Sequence, residues 1–104
     1  MKKEVDSKSF EKAISGDKPV LVDFFASWCG PCQMMMPVIN ELSKEVKEFS
    51  IIKLDIDQSP EIAAKFNVMS VPTFIVFKDG KEVNRMMGAM PKEVIMEKVL
   101  KAIN

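Results

Sequence analysis

The chain contains no histidine, and only two cysteines among its 104 residues. The first absence removes imidazole as acid, base or metal ligand, and with it most zinc sites. The second leaves too few thiols for a four-ligand metal centre. Only a site shared between chains could bind zinc or an iron–sulfur cluster, so no metal and no bound cofactor is expected. An excess of charge of either sign is also absent, with 15 basic residues against 15 acidic ones. Nucleic acid or an anionic membrane would call for a basic face, so neither is an expected partner. No apolar stretch approaches the length of a membrane span, and no Gly-x-Gly-x-x-Gly loop offers a dinucleotide site. Met1-Lys2-Lys3 runs into Glu4 and Asp6 rather than an apolar segment. No secretory leader is read there, and a cytoplasmic address is expected. Structural disulfides are rare in that compartment, and a cysteine pair there is more often catalytic. Without a repeat, linker or low-complexity tract, the length and a hydrophobic content of 47% fit one domain, 1–104.

Both cysteines fall in one pentapeptide, Trp28-Cys29-Gly30-Pro31-Cys32. A β-branched and aromatic run, Val20–Phe25, precedes it, and a helical pattern from Gln33 to about Phe49 follows. The pair therefore sits where a strand gives way to a helix. The thiolate is the nucleophile in thiol chemistry, and a free cysteine is mostly protonated at neutral pH, with a reference pKa of about 8.5. The first turn of a helix presents unpaired N–H groups and the positive end of the macrodipole, which favour an anion. Pro31 suits that turn, where its missing N–H has no helical partner to lose. The spacing puts Cys29 and Cys32 on neighbouring surface of one turn, so a disulfide can close with little backbone movement. Cys29, at the open end, is expected to be the exposed attacker. Cys32 is expected to be more buried and to act as the resolving thiol.

The remaining pattern predicts a mixed sheet covered by helices on both faces. Lys2–Val5 reads as a short edge strand. A helix capped by Asp6 or Ser7 runs to about Ile14. Val20–Phe25 reads as a buried strand, and Asp23 within it needs a partner or a raised pKa if it does not point to a solvent edge. The helix after the cysteines carries Met35, Val38, Ile39, Leu42, Val46 and Phe49 at helical spacing, with Pro37 expected to kink it. Ser50–Asp57 is a strand. Ser59 and Pro60 open a helix to about Phe66, which Asn67 suits as a terminator. Thr73–Lys78 and Lys81–Met87 form a hairpin through Asp79-Gly80, and Lys92–Ile103 is the final helix.

The pentapeptide resembles the active-site sequence of thioredoxins. Val22-Asp23-Phe24, Lys53-Leu54-Asp55, Val71-Pro72-Thr73 and Gly88-Ala89 resemble their thioredoxin counterparts in the same order. The resemblance implies a central mixed five-stranded sheet flanked by four helices. It implies a protein-disulfide reductase working through a reversible Cys29–Cys32 disulfide. Gly30 and Pro31 would tune it, disulfide-containing proteins would be its targets, and a thioredoxin reductase would recharge it. It places Asp23 beneath Cys32 to handle its proton, and Lys53 near that aspartate. Alternatively, Lys53 is a solvated surface lysine. It also implies a cis bond at Val71-Pro72. Trp28, Gly30, Pro31, Val71, Pro72, Gly88 and Ala89 would then form a flat apolar docking surface, with the Val71 backbone pairing with an extended peptide. Gly88 reads equally as a turn before the last helix.

Three places depart from the commonest thioredoxin pattern. Gln33 stands where a lysine or arginine is frequent, Phe25 where many have tryptophan, and Met69-Ser70 where some have a basic residue and glycine. A lysine at Gln33 is expected to favour the Cys29 thiolate. The methionines Met34–Met36, Met69, Met86, Met87 and Met90 read as adaptable core filler. Alternatively, Met34, Met69 and Met87 rim the docking surface and broaden its partners. A monomer is expected. An oxidase or isomerase of the same fold, and a redox-silent adaptor, are the rival readings.

Overall fold

Strands and helices alternate through the first half of the computed structural model, which describes residues 3–104. The order is β1 (Lys3–Val5), α1 (Ser7–Ile14), β2 (Val20–Phe25), α2 (Gly30–Glu45), β3 (Ser50–Asp55), α3 (Pro60–Lys65), β4 (Thr73–Lys78), β5 (Lys81–Met87) and α4 (Lys92–Ile103). Lys2, expected to open the first strand, lies outside the described residues. The sheet order is β1-β3-β2-β4-β5. β2 and β3 are parallel through the α2 crossover, β1 is parallel to β3, and β4 runs antiparallel to both β2 and β5. β2 thus lies at the centre, and its C-terminal end feeds the cysteine pair.

Alternation along the strands divides the core into two layers. Leu21, Ile51, Phe74 and Val76 meet Met35, Ile39 and Leu42 of α2 and Ile95 and Val99 of α4. Val22, Phe24, Leu54, Ile75 and Phe77 meet Phe10 and Ile14 of α1 and Ile62 of α3. Asp23 follows Leu21 by two residues and so is on the first of these faces, the side that carries α2. Lys92 ties α4 to α2 through ion pairs with Glu41 and Glu45. The hydrogen bond with Glu41, then that with Glu45, raises the Lys92 pKa above its ordinary value.

The ends of elements follow their local chemistry. Asp6 caps α1, accepting from the Lys8 and Ser9 amides while Ser9 Oγ accepts from the Asp6 amide. Asp79 and Gly80 both have positive φ, 55° and 78°, the geometry of a tight two-residue hairpin loop. Asn67 has φ 54° where the chain leaves α3. Two expectations are corrected here. β3 ends at Asp55 rather than Asp57, because Asp55 accepts the Asp57 amide through its side chain and turns the backbone. α2 spans Gly30–Glu45 rather than Gln33–Phe49. It starts earlier because Cys29 itself caps it. It stops earlier because Val46 goes extended, which releases Phe49 to bury its ring in the core beside Ile51.

Candidate functional site

Cys29 is the N-cap of α2, in an extended conformation with φ −87° and ψ 113°. Its sulfur accepts the Cys32 amide at 3.1 Å, the bond a serine or aspartate oxygen makes at an ordinary cap. Pro31 occupies the first turn, as its missing N–H allows. The two Cα atoms are 5.2 Å apart and the sulfurs are bridged, within the usual span of a disulfide. A helix start thus supplies both the spacing and the dipole for an anionic sulfur.

The expectation that Cys29 is the exposed member of the pair is corrected: both cysteines are 4% exposed. Ala26, Phe25, Ile56 and Val71 pack around the pair, and the helix start folds Cys29 against them. The two sulfurs differ in surroundings rather than in area. Cys29 Sγ lies 3.6 Å from the carbonyl oxygen of Val71, which a reduced thiol there would meet as its acceptor. Cys32 instead lines a groove of about 350 Å³ with Phe25, Ala26, Ser27, Gln33 and Met36. Gln33 closes one side of that groove by donating Nε2–H to the Ser27 carbonyl at 2.9 Å.

The loop opposite the pair is built from several short bonds. Val71-Pro72 is cis. The Thr73 hydroxyl donates to the Ser70 carbonyl at 2.7 Å, and the Gly88 amide donates to the Pro72 carbonyl at 2.9 Å. Gly88 has φ 90°, so its turn conformation is one that favours glycine. Pro72 is buried and Val71 half-buried, while Trp28, Gly30, Pro31 and Ala89 are exposed. Of the seven residues expected to dock a partner, Pro72 is buried and so is not part of an open face, and Val71 and Gly88 are half-buried. Trp28, Met34, Met69 and Met87 are all exposed, Met69 to 90%, and with Val83 they are the exposed large hydrophobics among the described residues.

Asp23 is buried, at 3% exposure, which excludes a solvent-edge position. Its register partner on β3 is Lys53, so the two side chains leave the sheet on one face. Lys53 is half-buried, and its ammonium stands 5.2 Å from the centroid of the Phe25 ring. Sequence reasoning names both residues but not this use of Phe25. It also misses Asp57, whose Oδ2 accepts the Trp28 indole N–H at 2.8 Å. The signal is an acidic residue just past a strand aligned with β2. Arg85 is missed as well. It donates to the Phe66 carbonyl at 2.7 Å while paired with Glu82, and so pins the loop that leads from α3 to Val71. No group of three or more Cys, Asp and Glu among the described residues is placed to hold a metal ion. No helix there is long and apolar enough to cross a membrane.

Comparison with known proteins agrees with this geometry. The Thioredoxin family model matches residues 1–101. A thioredoxin of Alicyclobacillus acidocaldarius is 49% identical over 86 residues, covering 82% of each chain. One from Staphylococcus haemolyticus is 51% identical over 96 residues, covering 91% of this chain and 90% of its own. Among solved structures, a single-site mutant of thioredoxin from Halobacterium salinarum NRC-1 superimposes with a TM-score of 0.90 at 28% identity, over 99% of this chain and 92% of that one. With its cysteine pair at bridging distance, this chain belongs to the thioredoxin family of dithiol–disulfide oxidoreductases.

Proposed function

We propose that this chain is a general reductant of protein disulfides, with Cys29 as nucleophile and Cys32 as resolving thiol. The observation that carries the assignment is the Cys32 amide aimed at Cys29 Sγ. A hydrogen bond and a helix N-terminus converge on one sulfur only, so that sulfur bears the negative charge.

The Cys29 thiolate attacks one sulfur of a target disulfide, and the other target sulfur leaves as a thiolate. A mixed disulfide joins Cys29 to the target. Cys32 then gives up its proton to the Asp23 carboxylate, directly or through a water, with Lys53 beside that carboxylate. The Cys32 thiolate attacks Cys29 Sγ, the second target thiolate leaves, and Cys29–Cys32 closes. Two electrons pass to the target, and both its sulfurs end as thiols after taking protons from solvent. Two electrons from a reductase reopen the bridge. Gly30 and Pro31 hold the pair at the helix start.

Docking uses the exposed Trp28, Gly30, Pro31 and Ala89 with the half-buried Gly88 and the Val71-Pro72 segment, an extended target segment pairing along the Val71 backbone. Met34, Met69 and Met87 broaden the range of targets, since thioethers adapt to varied shapes. The protein works as a single domain, 1–104, and as a monomer in the cytoplasm, where it serves cell redox homeostasis.

Turbidimetric reduction of insulin by dithiothreitol tests the reading. The wild-type protein accelerates it, and Cys29→Ser abolishes the acceleration. Full activity in Cys29→Ser would remove Cys29 from the first step.

A further inference from the structure

We propose that Phe25 is a positioning residue for the Lys53 ammonium, and through it sets the pH at which Cys32 resolves the mixed disulfide. The inference rests on the proton role proposed above for Asp23 and Lys53.

Three observations converge. Asp23 and Lys53 are register partners on adjacent parallel strands, on the face that α2 covers. Phe25 follows Asp23 by two residues, so its ring emerges on that same face at the level of Asp55, its own register partner. The Lys53 ammonium stands over the Phe25 ring at 5.2 Å, within the range where the ring quadrupole attracts a cation. A lysine stem is flexible and its head strongly hydrated, and left alone it would extend into water. The Phe25 ring is a contact that keeps its charge along the strand. The same ring lines the groove on which Cys32 opens. Phe25 thus touches both the path from Cys32 to solvent and the cation next to the carboxylate.

The charges that face Asp23 are few. β3 carries Lys53 and Asp55 on the face of Asp23, and α2, which covers that face, begins at the cysteine pair. Phe74 and Val76 of β4 and Ile95 and Val99 of α4 turn apolar side chains to this face. A cation held beside a carboxylate favours its charged form. When the ammonium drifts away, Asp23 stays protonated to higher pH, and the acid limb of the Cys32 step moves upward.

The test is single-turnover reduction of a disulfide peptide between about pH 5 and 9, with the two steps followed separately through Trp28 fluorescence. Mixed-disulfide formation is read in a Cys32→Ser background, and resolution in the protein that keeps Cys32. Phe25→Leu is expected to slow resolution about threefold on the acid side and to shift that limb to higher pH, the size of an exposed cation–π contact. First attack is expected to stay within about twofold of wild type, since Phe25 acts on the later step. Phe25→Trp restores the profile, and Phe25→Leu combined with Lys53→Met is no slower than Lys53→Met alone. If Lys53→Met moves the profile while Phe25→Leu does not, or if the two effects multiply, the positioning role is overturned and the proton role stands. If Lys53→Met leaves the profile unchanged, both fall. A measurement on the wild-type protein is independent of any variant's folding. The Lys53 Cε protons carry an upfield ring-current shift in the NMR spectrum, and its absence overturns the inference.

Discussion

The backbone amide of Cys32 donates to the sulfur of Cys29 across 3.1 Å. That bond separates two thiols that are equally buried. Hydrogen bonds to charged groups are worth about 1.5–3 kcal/mol, enough for at least a tenfold difference in thiolate population. In the reduced protein at neutral pH, iodoacetamide is expected to alkylate Cys29 about ten times faster than Cys32. Peptide mass spectrometry of a time course reads the ratio. Equal labelling would mean that the cap does not select the nucleophile.

Trp28, next to Cys29, is held by its indole N–H bond to Asp57 Oδ2 at 2.8 Å. Asp57→Ala releases a side chain that is otherwise 69% exposed. Loss of one exposed hydrogen bond lowers stability by about 1 kcal/mol or less. The larger effect is on docking, with KM for a protein target rising about two- to threefold and kcat unchanged. Initial-rate kinetics with insulin check it, and an unchanged KM would contradict a docking role for Trp28.

Gly30, next to Cys29, and Gly88, bonded to the Pro72 carbonyl, answer differently to a methyl group. Nothing lies within 4 Å of a Cβ built at Gly30. Gly88 is equally open but has φ 90°. Gly88→Ala is therefore expected to lose about 1–2 kcal/mol, from backbone strain alone. Gly30→Ala stays within about 0.5 kcal/mol of wild type, as a surface substitution at a helix start. Urea midpoints at constant m-value separate the two, and equal midpoints would contradict the assignment.

Asp6 supplies the pH test of the fold. The Ser9 backbone amide, followed by the Ser9 side chain, holds its carboxyl below the ordinary 3.8. A carboxyl with a depressed folded-state pKa contributes stability that is present above its unfolded value. That stability fades as pH falls through the lower folded value. The advantage of wild type over Asp6→Asn is thus expected above pH 3.8 and disappears on further acidification. Denaturant midpoints for both proteins across that range check it, and a pH-independent gap would contradict it.

Much of this molecule is legible in its residues, for reasons that differ by element. β2, β4, β5 and α4 begin and end where the sequence places them, because β-branched runs, Asp79-Gly80 and the spacing of Ile95, Val99 and Ile103 are local signals. The first turn of α2 is legible from Pro31 and the cysteine spacing, although the apolar helical pattern alone begins only at Gln33. The end of α2 is hidden because Phe49 keeps helical spacing while packing from the bend between α2 and β3. In the site, the cysteines stand out at once, and the burial of Asp23 is readable from one carboxylate in an apolar strand. The Trp28–Asp57 bond and the Lys53–Phe25 contact link residues 29 and 28 positions apart. They depend on the register of β2 against β3, which the sequence does not state.

The division of labour between the two thiols is tested most directly by trapping. Reduced Cys32→Ser and Cys29→Ser proteins are mixed with a disulfide-containing target, quenched in acid and analysed by mass spectrometry. The account predicts a long-lived adduct joined through Cys29 in Cys32→Ser, and no comparable adduct in Cys29→Ser. An adduct that accumulates as fast through Cys32 in Cys29→Ser would contradict it.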